Sequence, residues 1–109
     1  MIIYKVTNKI NKKVYIGQTV RSFSKRKQEH FYDSEHHRDN NPFHNAINKY
    51  GKDNFEWEII VTCTTIEELN EMEIYYINEY KSYDSQFGYN LKLGGENGGF
   101  CQQITKRSY

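Results

Sequence analysis

Ile2-Ile3-Tyr4-Lys5-Val6-Thr7 and, after a polar break, Lys13-Val14-Tyr15-Ile16-Gly17-Gln18 decide how this chain begins. Both stretches are rich in β-branched and aromatic residues, which fit a pleated, half-buried surface. Between them, Asn8-Lys9-Ile10-Asn11-Lys12 is polar and turn-prone, so the two read as the arms of a β-hairpin. On the second arm Lys13, Tyr15 and Gly17 share one face, and Val14 and Ile16 share the other. Gly17 removes side-chain bulk beside Tyr15 and permits close approach of a backbone or ligand. By itself, a tyrosine on each arm is more often packing than catalysis.

Beyond the hairpin, Ser22 can cap a helix that runs through Phe23, Lys27, His30 and Phe31 to about Glu35. Glu35 to Asn41 reads as a loop. Asn41 followed by Pro42 starts a second helix, with Phe43, Ala46 and Ile47 on it and Gly51 beyond its end. Phe55 to Val61 alternates and then becomes continuously apolar, as in a strand partly buried on both faces. Thr65-Ile66-Glu67-Glu68 is a capping box that opens a long helix to about Tyr80. From Gly88 the chain is rich in Gly and Asn and reads mostly as loop, with room for a short strand at Tyr89 to Leu93. The order β-β-α-α-β-α gives an α+β domain whose three-stranded sheet is mixed or antiparallel.

A chain of 109 residues holds one domain with a modest core. Ten tyrosines are the compositional anomaly, and such rings can extend a thin core toward the surface while keeping the hydroxyl wet. No window approaches the roughly 18 apolar residues of a spanning helix, and the first residues alternate like a strand rather than a signal peptide. Cys63 and Cys101 belong to no C-x-x-C motif, which points to a reduced, cytosolic protein rather than a disulfide scaffold. The net charge of +1 hides an uneven distribution. Residues 1–50 carry ten Lys/Arg against four acids, whereas residues 51–85 carry two against nine. One basic surface could follow phosphates while an acidic one faces away, provided the blocks stay apart in space.

Glu73 breaks the pattern of its helix. The apolar stripe is Ile66, Leu69, Tyr76, Ile77 and Tyr80, and Glu73 falls in its middle. A carboxylate there is costly unless it is paired, hydrogen-bonded or bound to a cation; a structural ion pair and a metal ligand both satisfy that condition. Arg26 and His30, four residues apart, project from one side of the first helix. A guanidinium forks onto two phosphate oxygens, and a histidine can orient water or move a proton. A basic solvated face, with Lys25 and Lys27, is the plainer reading. His36, His37 and His44 lack zinc-site spacing.

Taken in order, these residues resemble the GIY-YIG nuclease superfamily. Ile2-Ile3-Tyr4 stands where the family has Gly-Ile-Tyr, and Tyr15-Ile16-Gly17 is its second signature. Phe23-x-x-Arg26-x-x-x-His30, Asn48-Lys49-Tyr50-Gly51-x-x-x-Phe55, Glu73-x-x-Tyr76-Ile77 and Gly88-Tyr89-Asn90 follow in sequence. The resemblance covers residues 2 to 93, and it is to the catalytic domains of phage- and intron-encoded homing endonucleases. It departs at Ile2, where the family has glycine, and retains Tyr4. It implies a central three-stranded antiparallel sheet flanked by helices, a nuclease domain at 1–93, and a Gly/Asn-rich tail at 94–109 that could begin a linker in a longer protein.

The resemblance also implies the chemistry: hydrolysis of a DNA phosphodiester bond with one Mg²⁺ or Mn²⁺ per active site and no organic cofactor, by a domain expected to act as a monomer. Glu73 is then the metal ligand and Arg26 the clamp on the scissile phosphate. His30 and Tyr15 position or help deprotonate the water, and Tyr4 is the general base. Asn90 fixes the site from the tail, by bonding a catalytic side chain or by contacting DNA. Lys13 and His37 are accessory candidates, with Arg38 competing for the place of His37. A phenol with a pKa near ~10 makes a poor base at neutral pH unless cations favour the phenolate. The competing classes are an inactive DNA-binding module, a structure-specific repair or restriction nuclease, and a tyrosine-rich interaction domain.

Overall fold

The computed structural model describes residues 1–36 and 41–91. Their order is β1 (Ile2–Asn8), β2 (Val14–Thr19), α1 (Phe23–His36), α2 (Pro42–Tyr50), a 3-10 turn at Lys52–Asn54, β3 (Phe55–Thr62) and α3 (Ile66–Tyr80). The hairpin turn is built by asparagines, as its polarity predicts. Asn8 Oδ1 accepts from the Ile10 N–H and Asn11 Oδ1 from the Lys13 N–H, while Lys12 takes a φ of 68°. β1 is the central strand of the order β2-β1-β3, and both pairings are antiparallel. The architecture is therefore the expected α+β sheet with helices packed on it.

Alternation along β1 sends its two faces to two different cores. Tyr4 and Val6 join Phe43, Ala46 and Ile47 of α2, with Phe23 and Phe31 of α1 packed against them. Ile3, together with Val14 and Ile16 of β2, meets Leu69 and Ile77 of α3. The sheet thus separates the α1–α2 layer from α3. The charge blocks separate only in part: α3 carries Glu67, Glu68, Glu71, Glu73 and Glu79 and no cation, whereas on α1 Lys25, Arg26 and Lys27 are matched by Glu29, Asp33 and Glu35.

β3 reveals why its sequence stops alternating. Tyr4 faces Ile59 but Ile3 faces Val61, so Ile60 is the extra residue of a β-bulge. Phe55 and Trp57 pack toward the α1–α2 layer, whereas Ile60 and Val61 pack toward α3. The strand uses its two faces one after the other, at different ends, rather than both along its whole length.

The helix starts follow their caps. Ser22 Oγ accepts from the Lys25 N–H, and Asn41 Oδ1 accepts from the N–H groups of Phe43 and His44 ahead of Pro42. Gly51 ends α2 with a φ of 87° and donates its N–H to Ile47 O. The capping box at α3 is half as expected. Thr65 Oγ1 accepts from Glu68 N–H, but the Glu68 carboxylate reaches one residue further back, to the N–H and hydroxyl of Thr64. The buried face of α3 is Leu69, Asn70, Glu73, Ile74 and Ile77; Ile66, placed on the stripe by spacing, is the first residue of the helix and is exposed.

The tail pairs earlier than a strand at Tyr89 to Leu93 would require. The Val14 N–H donates to Phe87 O and the Tyr89 N–H to Val14 O, a parallel bridge centred on Gly88. A Cβ on Gly88 would overlap the Val14 carbonyl and Ser82. Lys92, Leu93 and the tail at 94–109, with Cys101, lie outside the described residues, as do His37 and Arg38. Cys63 is buried with a free thiol.

Gly17 faces Tyr4 across the β1–β2 pair, and the Tyr4 ring lies over it: a Cβ at Gly17 would overlap the phenol carbon and hydroxyl. What approaches Gly17 is thus a side chain of the neighbouring strand. Gly17→Ala is expected to cost about 1–3 kcal/mol through overpacking, read as a lower urea midpoint. An unchanged midpoint would show that the Tyr4 ring is not fixed over Gly17.

Candidate active site at the edge of the sheet

Tyr4 is fully buried, at 0% exposure, although it carries a hydroxyl. Trp57, Phe23 and Tyr15 surround its ring at centroid distances of 6.0, 5.8 and 6.3 Å. A buried hydroxyl needs a partner, and it has one in His30, whose Nε2 lies 2.7 Å from the Tyr4 oxygen. His30 is 2% exposed and comes from α1. Its other nitrogen, Nδ1, lies 3.0 Å from Nε2 of His44 on α2. Tyr15 completes the cluster, with its ring stacked on Phe43 at 4.2 Å.

Arg26 lies one helical turn before His30 and within interaction range of the Tyr4 hydroxyl. Its Nη1 is 3.2 Å from Glu29 Oε1, and Arg21 binds the same carboxylate at 2.7 Å. Glu29 therefore steadies Arg26. Nothing in the residue pattern singles Glu29 out, although its spacing from Arg26 allows a helical ion pair.

Glu73 approaches from the other side of the sheet. It is 8% exposed, a carboxylate within a buried stripe as the helical period implies. Gln18 meets it: the Gln18 Nε2 donates to Glu73 Oε1 and to Asn70 Oδ1, both at 2.9 Å. Sequence reasoning missed both Gln18 and Asn70. Gln18 follows Gly17 on β2, an edge strand, so α3 chemistry reaches the sheet where the Tyr4 ring crosses it from the other layer. The Glu73 charge is near enough to disfavour ionisation of both Tyr4 and Tyr15.

Burial dominates the electrostatics. It holds the Tyr4 phenol well above the ordinary tyrosine range, with Tyr15 adding to the rise and Arg26 opposing it. Desolvation, then Glu73, pushes Tyr15 up to about 12. Desolvation pulls the Arg26 guanidinium down, but Tyr4, Tyr15 and Glu29 outweigh it and hold it above its usual value. Burial, followed by the Arg26 charge and then by the neighbouring His44, lowers His30 to about 3. In this state the site holds two phenols, a neutral imidazole and a guanidinium.

Two candidates, Asn90 and Lys13, take other positions, as does the motif departure Ile2. Asn90 bonds no catalytic side chain: its amide oxygen accepts from the Ile16 N–H at 2.9 Å and its Nδ2 donates to Ile16 O at 2.8 Å. It acts as a one-residue extension of the sheet that satisfies the edge of β2 between Tyr15 and Gly17. Lys13 lies away from Tyr4, in a groove with Asn11, Asn45, Lys49, Tyr50 and Tyr89. Ile2 packs at the rim of the α1–α2 core and leaves Tyr4 in place.

Among the described residues no group of three or more His, Cys, Asp or Glu side chains could cage a metal. One carboxylate with amide oxygens beside it suits a hard cation that keeps most of its waters, and does not suit zinc. No helix among the described residues is long and apolar enough to cross a membrane.

Comparison with known proteins places this arrangement. The sequence profile of the GIY-YIG catalytic domain matches residues 1–90. The segB protein of Enterobacteria phage T4, described as a putative endonuclease, is 37% identical over 95 residues, which is 87% of this chain and 39% of that relative. The chain thus spans about two fifths of the length of that curated relative. Of the solved structures, a glutamate-to-alanine mutant of the catalytic domain of the intron endonuclease I-TevI superposes with a TM-score of 0.75 at 29% identity, covering 87% of this chain and 96% of that one. A structure of the catalytic domain of the homing endonuclease I-TevI gives 0.69 at 31% identity, covering 82% and 95%. The cluster of Tyr4, Tyr15, Arg26 and His30, with Glu73 in electrostatic reach, sits within the matched region, and this chain belongs to the GIY-YIG endonuclease family, with its kinship to the catalytic domains of homing endonucleases.

Proposed function

We propose that this domain hydrolyses one phosphodiester bond of DNA, with Glu73 holding a single Mg²⁺ or Mn²⁺. The observation that carries this reading is the convergence of Tyr4, Tyr15, Arg26 and His30 from three elements on one point, within electrostatic reach of Glu73. The cation, when bound, supplies Lewis-acid charge against the negative charge that develops on the phosphate.

The protein's own groups have separate tasks. Arg26 binds non-bridging phosphate oxygens, a use for its planar fork, while Glu29 and Arg21 hold it in place. Tyr15 orients the attacking water. Tyr4 starts as a phenol, so it serves as a base by exchange: it takes a proton from the water as its own passes to His30 Nε2. The water oxygen bonds to phosphorus, the bridging P–O bond breaks, and the leaving oxygen takes a proton from solvent. Bound substrate makes this exchange easier. The Arg26 charge is one of the causes that depress His30, and an anionic phosphate against Arg26 offsets it.

The first test is nicking of supercoiled plasmid with Mg²⁺ or Mn²⁺, with and without chelator. Wild-type protein is expected to nick only with the metal. Glu73→Gln keeps an acceptor for Gln18 and removes the charge; it and Arg26→Ala should each lose about 100-fold or more of the rate while still binding DNA. Parent-rate nicking by Glu73→Gln would sink the metal assignment. Binding without any cleavage by wild type would leave a DNA-binding module. Cleavage confined to branched DNA would indicate a structure-specific nuclease.

His30 offers a second, pH-dependent test. Its folded pKa of about 3 lies below the unfolded value, so between these values the unfolded chain binds the extra proton. Stability is complete above the unfolded pKa and is lost as pH falls toward the folded one, by about 2 kcal/mol at pH 5. His30→Gln should flatten the profile of urea stability over this window; an unchanged slope would show that His30 is not held neutral.

A further inference from the structure

His44 is buried, yet the nuclease reading, on which the present inference rests, gives it no part. It lies on α2, belongs to none of the matched motifs, and bonds the one His30 nitrogen that does not face Tyr4. Its place is fixed from both sides. The Asn41 cap receives the His44 N–H at 3.3 Å, and its ring packs on His30 and Phe43 at 5.2 and 5.9 Å.

The direction of the hydrogen bonds follows from the donors present. Arg26 has only donors and faces the Tyr4 hydroxyl, so the Tyr4 oxygen is an acceptor toward Arg26. The Tyr4 O–H has two other neighbours, the Tyr15 hydroxyl and His30 Nε2 at 2.7 Å; Tyr15 carries a hydrogen of its own to give to Tyr4, so the imidazole lone pair is the better acceptor. A neutral imidazole has one lone pair and one N–H. If Nε2 accepts, Nδ1 carries the hydrogen, and the group it meets at 3.0 Å is His44 Nε2.

We propose that His44 is the positioning residue of this site: its Nε2 accepts the His30 Nδ1–H, and so fixes the tautomer in which His30 Nε2 receives the Tyr4 proton. The Tyr4 hydrogen then points away from the reacting phosphate, which leaves the oxygen lone pairs for the water. When the proton moves, the Tyr4 O–H bond breaks, the His30 Nε2–H bond forms, and the Nδ1–H stays bonded to His44. The imidazolium then has both N–H groups satisfied. This is the orienting task that a carboxylate performs behind a catalytic histidine, done here by a second imidazole.

Histidine ¹⁵N NMR of the full chain reads the tautomer without reference to catalysis. His30 is expected in the Nδ1–H form in wild type and in His44→Gln, whose amide oxygen can accept. In His44→Leu the buried Nδ1–H has lost its acceptor and competes with the Tyr4 bond at Nε2, so the Nε2–H form should become populated, and a His30 that stays wholly Nδ1–H there overturns the proposal. In plasmid nicking, His44→Leu should lose about 10- to 100-fold in kcat, as when groups that orient ligating histidines are removed, with KM unchanged; His44→Gln should restore most of it. An Nε2–H tautomer in wild type overturns the proposal, and so does a full kcat in a folded His44→Leu. If His44→Leu does not fold, the wild-type tautomer and His44→Gln still decide. A wild type that cuts no DNA refutes the nuclease reading instead, and leaves the tautomer to be judged by NMR.

Discussion

The Tyr4 ring lying over Gly17 is the constraint on which the site depends. β1 is the central strand, so a side chain from it would ordinarily end in the core. Tyr4 does lie in the α1–α2 core, but its ring crosses β2 at the one position of that strand that has no side chain, which carries the hydroxyl past the strand. There it meets His30 and Arg26 from the α1 layer, and it comes within range of Glu73 on α3. Any side chain at Gly17 would close that crossing. The second glycine, Gly88, serves the same edge differently, because it lets the tail backbone lie against Val14 so that Asn90 can bond both backbone groups of Ile16. Without that cover the Ile16 N–H and carbonyl would be an unpaired edge beside the reacting groups.

Burial creates a difficulty that the same site answers. Desolvation makes Tyr4 a worse base and His30 a weaker acceptor than either would be in water. Charged resting states are thereby disfavoured, and a hydrogen-bonded chain from Tyr4 through His30 to His44 takes their place. Such a chain lets protons shift by one bond each, without a free phenolate in a dry pocket. In the proposed reaction it would respond to the charge of the substrate. Low dielectric strengthens those interactions as much as it penalises isolated ions.

Local features were legible because their physics is local. The asparagine-rich turn, the Ser22, Asn41 and Thr65 caps and the Gly51 terminator each act over a few residues, and each appears where the residue types place it. Glu73 was legible for a related reason: a helical period of 3.6 residues exposes a carboxylate out of place, whatever it touches. The β3 bulge was legible only as a loss of alternation, since an extra residue is defined by its partner strand.

Residue order alone specified the elements, their succession, the hairpin, and the ordered set from Tyr4 to Glu73 that marks the family. Packing settled which of these meet and what they meet. It put β1 in the centre, laid Tyr4 over Gly17, set Gln18 against Glu73, and directed Asn90 to a backbone rather than a catalytic side chain. It also brought His44 to His30, fourteen residues away and on another helix. Spacing rules describe neighbours on one strand or one helix face. The directions of hydrogen bonds between elements, and the dielectric that sets the charge of each group, exist only once the layers have packed.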